Sequence, residues 1–253
     1  MRLVRLSILF LLSVFWSMLG AACWLLPSRR ARYRSLARVR TAWAASMLKV
    51  LRVRVTPLLV DAPERPALCI ANHTGYLDIM VLASVAPVLF ISRRDVMWWP
   101  VVGQMASIGG TLYVDRSDRF GVGRLVERVR RRLRSGASVA FFPEAKSSDG
   151  TGLLPFKSSL FAAAEPGSEG KLVPIRPFVL KYRTVGGEPI TDANRARVFW
   201  YADAGFVSHF WRLLTAPGIE VTVAELPTRV LTGNRRTFAP ALREEMLGEL
   251  LAP

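Results

Sequence analysis

The feature that most constrains this chain lies at its start. From Leu6 to Leu26 there are 21 residues without a charge, preceded by Arg2 and Arg5 and followed by Arg29, Arg30, Arg32, Arg34, Arg38 and Arg40. As a helix rising about 1.5 Å per residue the run is about 32 Å long, enough to cross the hydrocarbon core of a bilayer. A cleaved signal peptide is the competing reading, because Gly20, Ala21 and Ala22 are small. The apolar run continues past them through Cys23-Trp24-Leu25-Leu26 into arginine, and a bulky aliphatic residue is missing at Gly20, where a lipoprotein cysteine needs one. The expectation is therefore a retained anchor, with the arginine-rich side in the cytoplasm at the inner membrane.

The remaining composition narrows the class. The chain has 253 residues, 51% hydrophobic, and a formal charge of +16, which suits a packed core and excludes intrinsic disorder over most of its length. Cys23 and Cys69 are too few for a disulfide scaffold or a cysteine zinc site. A basic and apolar chain points to nucleic acid or to an anionic membrane surface. Neither the first arginine group nor the second, Arg128 to Arg134, interleaves with stacking aromatics in a recognised module, so no nucleic-acid partner is expected. The second group reads as a solvated helix face. Arg40 to Arg54 reads as an amphipathic helix that either joins the first in a membrane-resting hairpin, broken at Pro27-Ser28, or packs on a globular core. Residues 1–54 are thus assigned to anchoring helices and 55–253 to one catalytic-sized domain.

Beyond Ala67, short apolar strands alternate with helical stretches. Strands are expected at Ala67–Ala71, Val88–Ser92, Thr111–Val114, Ser138–Phe142, Leu172–Tyr182 and Ile219–Leu226. Helices are expected near Leu77–Val85, Trp99–Ser107, Phe120–Arg134, Lys157–Ala164 and Pro240–Leu251. Continuous apolar runs such as Val139–Phe142 suit strands buried on both faces. The pattern predicts an α/β fold, a mixed central sheet flanked by helices behind the N-terminal anchor.

Three corners where strands end carry unusual polar residues. In Asn72-His73-Thr74-Gly75-Tyr76-Leu77-Asp78, His73 falls at a strand end and Asp78 in the first turn of the next helix, within reach of the imidazole. An aspartate there fixes the tautomer that a histidine general base needs. The same residues also suit a histidine satisfied by the fold and a helix-capping aspartate. With no third ligand nearby, a metal site is not expected. His209, in the aromatic stretch from Phe206 to Trp211, reads as packing or membrane contact rather than as a ligand. The second corner is Gly109 to Arg116, where Arg116 leaves a strand with the planar fork that grips phosphate. The third is Phe141-Phe142-Pro143-Glu144-Ala145-Lys146-Ser147-Ser148, in which a buried strand delivers Glu144 and places Lys146, Ser147 and Ser148 where a polar head group could be held.

Taken in order, His73 and Asp78, the Arg116 segment, Phe142-Pro143-Glu144 and Val173-Pro174-Ile175 resemble the four motifs of the glycerolipid acyltransferase family, over roughly Ala67 to Ile175. That family includes bacterial 1-acylglycerol-3-phosphate acyltransferases and lyso-ornithine lipid acyltransferases. The resemblance implies a membrane-associated O-acyltransferase of phospholipid biosynthesis. His73 would be its general base and Asp78 the orienting partner, Arg116 would meet the acceptor phosphate, Glu144 with Lys146 and Ser147 would bind the acceptor, and Pro174 would shape the acyl-donor pocket. The partners implied are an acyl carrier protein or coenzyme A thioester and a lysolipid; no cofactor or metal is implied. Lysophosphatidic acid, giving phosphatidic acid, is the first acceptor expected, and lyso-ornithine lipid the second.

The third motif departs from the family, which has Gly, Thr and often Arg where this chain has Ala145, Lys146 and Ser147. Ala145 lacks backbone freedom if the position needs a positive φ, and Lys146 cannot make the bidentate fork of Arg. Two other classes were weighed. A hydrolase would need a Gly-x-Ser-x-Gly elbow, which follows no strand here. A non-catalytic membrane-binding protein would use the basic surface alone.

Overall fold

The computed structural model describes residues 2–60, 66–99, 101–115, 121–166, 172–202 and 204–252. Helix α1 (Arg2–Cys23) and helix α2 (Arg29–Leu51) form the N-terminal hairpin. The break falls around Pro27-Ser28 as expected, and Ser28 Oγ caps α2 by accepting from the Ala31 amide at 3.0 Å. Then follow β1 (Val53–Leu58), β2 (Leu68–Ala71), α3 (Leu77–Val85), β3 (Val88–Arg93), α4 (Val102–Ile108), β4 (Leu112–Val114), α5 (Gly121–Arg134) and β5 (Ser138–Phe141). The chain closes with β6 (Pro174–Val185), β7 (Glu188–Pro189), α6 (Phe206–Leu213), β8 (Ile219–Glu225), β9 (Arg229–Val230) and α7 (Arg235–Leu251).

The strands make one mixed sheet in the order β1-β8-β6-β2-β5-β3-β4, with the short β7 and β9 paired to β6. β2, β5, β3 and β4 run parallel, as do β2 and β6 and β1 and β8, while β8 returns antiparallel to β6. Alternation along each strand divides the core. Cys69, Ala71, Phe90, Phe178 and Val223 face α2 and α3, whereas Leu68, Ile70, Val139, Phe141 and Ile175 face α5, α7 and Phe161. Both faces are covered, which explains why these strands read as continuous apolar runs.

Several expectations are corrected. The helix expected over Arg40–Arg54 is the latter part of α2, and residues 53–58 form an edge strand in register with β8, Val53 opposite Ile219. The expected boundary at residue 54 therefore falls inside β1. α2 shares its core with the rest of the fold: Ala44, Leu48 and Leu51 are buried with Leu77 and Val81, and buried Arg40 donates to the Gly109 carbonyl at 2.6 Å. Residues 158–164 form a 3-10 segment, because seven residues wedged between α5 and α7 make a tighter turn than an α-helix. α6 spans the aromatic stretch from Phe206 to Trp211, for which no helix was expected. α7 begins five residues before Pro240, since Asn234 supplies the N-cap, accepting from the Arg236 amide at 2.8 Å.

α1 is long and apolar enough to cross a membrane by length and composition, and it lies along the protein. Arg5 donates to the Leu214 carbonyl at 2.7 Å near one end, Trp16 Nε1 to Ser46 Oγ at 3.0 Å in the middle, and Trp24 Nε1 to the Ile108 carbonyl at 2.8 Å beyond the other end. Its outer face leaves Leu3, Phe10, Leu11, Phe15 and Met18 exposed.

Candidate active site

The carboxyl ends of the adjacent parallel strands β2 and β5 deliver the two polar corners side by side. Past Ala71, the Asn72 side chain continues the ladder to β6: Oδ1 accepts from the Leu180 amide at 2.7 Å and Nδ2 donates to the Leu180 carbonyl at 3.1 Å. It does what a backbone peptide would do, and so carries the strand's geometry into the loop. His73 follows, its side chain 20% exposed, with its ring stacked on Phe142 from the end of β5 at 4.1 Å between centroids.

Asp78 is fully buried and saturated. Oδ2 accepts from His73 Nδ1 at 2.8 Å, from the Thr74 amide at 2.5 Å and from the Gly75 amide at 2.9 Å. Oδ1 accepts from Thr74 Oγ1 at 3.0 Å and from the Tyr182 hydroxyl at 2.7 Å. The aspartate thus ties down the turn before α3 and the imidazole together, rather than capping the helix in the ordinary sense. With Nδ1 donating to a carboxylate, the neutral imidazole carries its lone pair on Nε2, which no described residue engages. Gly75 is required for a steric reason: a Cβ there would stand 2.9 Å from the Trp200 amide nitrogen. Trp200 lies close because its amide donates to the Thr74 carbonyl at 2.9 Å.

Glu144 is placed differently from the expected acceptor contact. It is only 2% exposed. Oε1 accepts from the His73 amide at 2.7 Å and Oε2 from the Leu154 amide at 2.8 Å. Burial pushes its carboxyl up to about 7 against the opposing effect of those two amides. The carboxylate therefore holds the His73 loop against the 153–154 segment. The neighbouring Ser148 completes the clasp, its amide and hydroxyl both donating to the His73 carbonyl. Lys146 is exposed and Ser147 half-buried on the same loop. Ala145 has φ +64°, so the position does demand the left-handed region, and this chain meets it with a residue that bears a Cβ.

The other sequence candidates separate from this cluster. Arg116 lies outside the described residues. Pro174 opens β6 opposite Val230. β6 runs parallel to β2 with Ile175 beside Leu68, so Pro174 stands level with Ala67 at the far end of the sheet, roughly 20 Å from His73 at about 3.3 Å per residue. The structure does not bring it to the other candidates. His209 is buried and accepts from the Tyr76 hydroxyl at 2.8 Å, and burial lowers its pKa to about 4. Among the described residues no group of three His, Cys, Asp or Glu side chains gathers as a metal site would require.

Sequence reasoning missed Tyr182, Thr74 and Asn72 as parts of the site, and it read Ser148 as a head-group contact where the structure ties it to the His73 carbonyl. Thr74 and Asn72 lie in the quoted motif, where only polarity marks them. Tyr182 lies inside β6, 104 positions after Asp78, and nothing in the local sequence marks it as a partner of that carboxylate.

A parallel-strand corner that presents an aspartate-anchored imidazole, clasped by a buried glutamate, defines the class as an acyltransferase-type α/β fold. The comparisons then place the chain: residues 50–181 match the Acyltransferase family model, and the chain belongs to that family. It is 38% identical over 182 residues to a lyso-ornithine lipid O-acyltransferase of Rhizobium meliloti, covering 71% of this chain and 62% of that protein. It is 34% identical over 165 residues to a 1-acyl-sn-glycerol-3-phosphate acyltransferase of Neisseria gonorrhoeae, covering 64% and 60%. The chain thus spans less than two thirds of the length of these relatives. The crystal structure of the 1-acyl-sn-glycerophosphate acyltransferase of Thermotoga maritima shares the fold, with a TM-score of 0.63 over 100% of this chain and 99% of that one, at 18% identity.

Proposed function

We propose that the protein transfers a fatty acyl group from a thioester to the free hydroxyl of a lysolipid. The observation that carries this reading is the His73–Asp78 pair, with Nδ1 anchored and Nε2 turned to the partly open corner. In the proposed step Nε2 removes the acceptor hydroxyl proton as the oxygen attacks the thioester carbonyl. The tetrahedral intermediate collapses, the thiol leaves with the proton returned by His73, and an ester remains. Asp78 stabilises the imidazolium in between. The mechanism draws on no group beyond these side chains and the two substrates, and the donor is an acyl carrier protein or coenzyme A thioester.

Two acceptors are carried forward. Lysophosphatidic acid is implied by the Arg116 motif, and its product would be phosphatidic acid. Lyso-ornithine lipid is favoured by the 38% identical relative, and the departure at Ala145, Lys146 and Ser147 from the family's third motif leaves room for an acceptor other than lysophosphatidic acid. α1, lying along the fold with an apolar outer face, supports residence at the inner membrane with the site on the cytoplasmic side.

The test is to offer purified protein a labelled acyl thioester with each lysolipid separately and identify the product. Acceptor-dependent ester formation is expected. Steady release of free fatty acid without acceptor would mark a hydrolase and overturn the proposal.

A further inference from the structure

The imidazole of His73 is held at an edge and on a face. Asp78 anchors the Nδ1 edge at 2.8 Å. One face lies on the ring of Phe142, 4.1 Å between centroids and 12° from parallel, while the side chain keeps 20% of its surface exposed. Phe142 directly follows the last residue of β5, so the strand paired with β2 delivers it beside the His73 loop.

The stack continues into the core. Phe90 of β3 lies on Phe142 at 6.2 Å and 20° from parallel, and the buried Arg40 guanidinium of α2 stands 5.4 Å from the Phe90 centroid. Arg40 in turn donates to the carbonyls of Gly109 at 2.6 Å and Val88 at 3.4 Å and to Thr111 Oγ1 at 3.3 Å. A column of flat groups supplied by α2, β3 and the end of β5 therefore terminates at the imidazole. Phe90 is 3% exposed, and a ring backed in this way has little room to turn.

Ordinary core packing accounts for the contact between rings but not for the charge that arises beside it. In the transfer step the acceptor hydroxyl proton moves to Nε2 as its oxygen bonds to the thioester carbon, and the neutral imidazole becomes an imidazolium. The electron-rich face of an aromatic ring attracts a cation far more than a neutral ring. The contact thus strengthens as the reaction advances, which is the condition for raising kcat rather than for tightening substrate binding. Stacking also fixes the ring plane, and with it the direction of Nε2, which one hydrogen bond at Nδ1 leaves free to tilt.

We propose that Phe142 is a positioning residue of acyl transfer, holding the plane of the His73 imidazole and stabilising its protonated form, with Phe90 and Arg40 as its backing. The proposal rests on the general-base reading of His73, and the experiment separates the two.

Full-length protein is assayed with a labelled acyl thioester and each of the two lysolipids at about pH 8, above the ordinary histidine range, with kcat and KM measured separately. Phe142→Leu keeps an apolar side chain and removes the ring face; kcat is expected to fall about tenfold with KM unchanged. Replacing Phe142 by mono-, di- and trifluorinated phenylalanine drains electron density from the face at nearly constant shape, and log kcat is expected to decline stepwise with each fluorine while Tm holds. Phe90→Leu is expected to cost less, about threefold, because it reaches the imidazole only through Phe142. If Phe142→Leu fails to fold, the fluorinated series decides. A kcat that is flat along that series, wild-type kcat in folded Phe142→Leu, or a rise in KM alone overturns the proposal, the last by making Phe142 a wall of the substrate pocket. Wild-type turnover in His73→Ala overturns the general-base reading beneath it, whereas loss of turnover there with a flat fluorinated series removes only the role of Phe142.

Discussion

The two polar regions of this molecule treat charge in opposite ways. At the carboxyl ends of β2 and β5, each carboxylate is matched from within: Asp78 accepts five hydrogen bonds and Glu144 two backbone amides. At the hairpin, Arg32 and Arg132 pack against the rings of Trp24 and Tyr33 with no carboxylate partner among the described residues. The difference teaches where each region looks for its complement. A saturated network is already in the geometry its chemistry needs and has little to gain from outside. An unsaturated cluster gains on meeting an external anion, and its own repulsion falls as it does so.

Substitutions at the saturated end should have the largest effects. His73→Ala is expected to lower acyl transfer by at least about 10³-fold while vesicle binding stays at the wild-type level, because the ring contributes nothing to the hairpin. Asp78→Asn is expected to lower transfer by about 10³- to 10⁴-fold, since the amide's NH₂ group cannot accept and would leave either the three donors on Oδ2, His73 Nδ1 among them, or the two on Oδ1 without an acceptor. Should either variant keep wild-type turnover, the assignment of chemistry to this corner fails.

Glu144→Gln comes next. Its amide group meets a backbone N–H where the carboxylate accepted one, so stability should fall by about 1–3 kcal/mol, read by thermal or denaturant unfolding. The pH dependence has a definite sign. The folded pKa of about 7 lies above the usual carboxylate value of 4.5, so the folded state holds this proton more tightly than the unfolded chain does. Its contribution to stability is greatest below about pH 4.5 and declines as pH rises to about 7. The glutamine variant should lack that decline, and an identical pH slope in the two proteins would contradict the burial argument.

Smaller effects sharpen the contrast. Tyr182→Phe removes one of five donors to Asp78 and should cost about 1 kcal/mol of stability with transfer reduced roughly tenfold. Ala145→Gly relieves a left-handed Cβ at the price of chain entropy. A net stabilisation of about 0.5 kcal/mol is expected, measured as a rise in Tm, and a destabilised variant would show that the positive φ is well tolerated by alanine.

Legibility in the sequence followed distance along the chain. His73 and Asp78 are five residues apart, so a strand end and one helical turn suffice to bring them together, and their hydrogen bond was readable. The need for backbone freedom at Ala145 was readable too, from the substitution within the third motif. Glu144 was recognised but its direction was not, because which amides it meets depends on how the loop after β5 folds over the loop after β2. The first two residues of β1 were read as helix and the rest were left unassigned, because Val53-Arg54-Val55 becomes a strand only beside Ile219–Ala224, a partner more than 160 residues away that no local pattern announces.

The sequence by itself determined the apolar N-terminal helix, the alternating strands and helices, and the local imidazole–carboxylate pair, since each follows from charge, periodicity or short spacing. Only the tertiary structure decided that α1 lies along the fold, that Tyr182 and Glu144 brace the His73 corner, that Pro174 stands at the opposite end of the sheet, and that Arg132 of the second arginine group packs on Tyr33 beside the first. Those outcomes depend on contacts between segments far apart in the chain, and such contacts are set by how both faces of the sheet are covered.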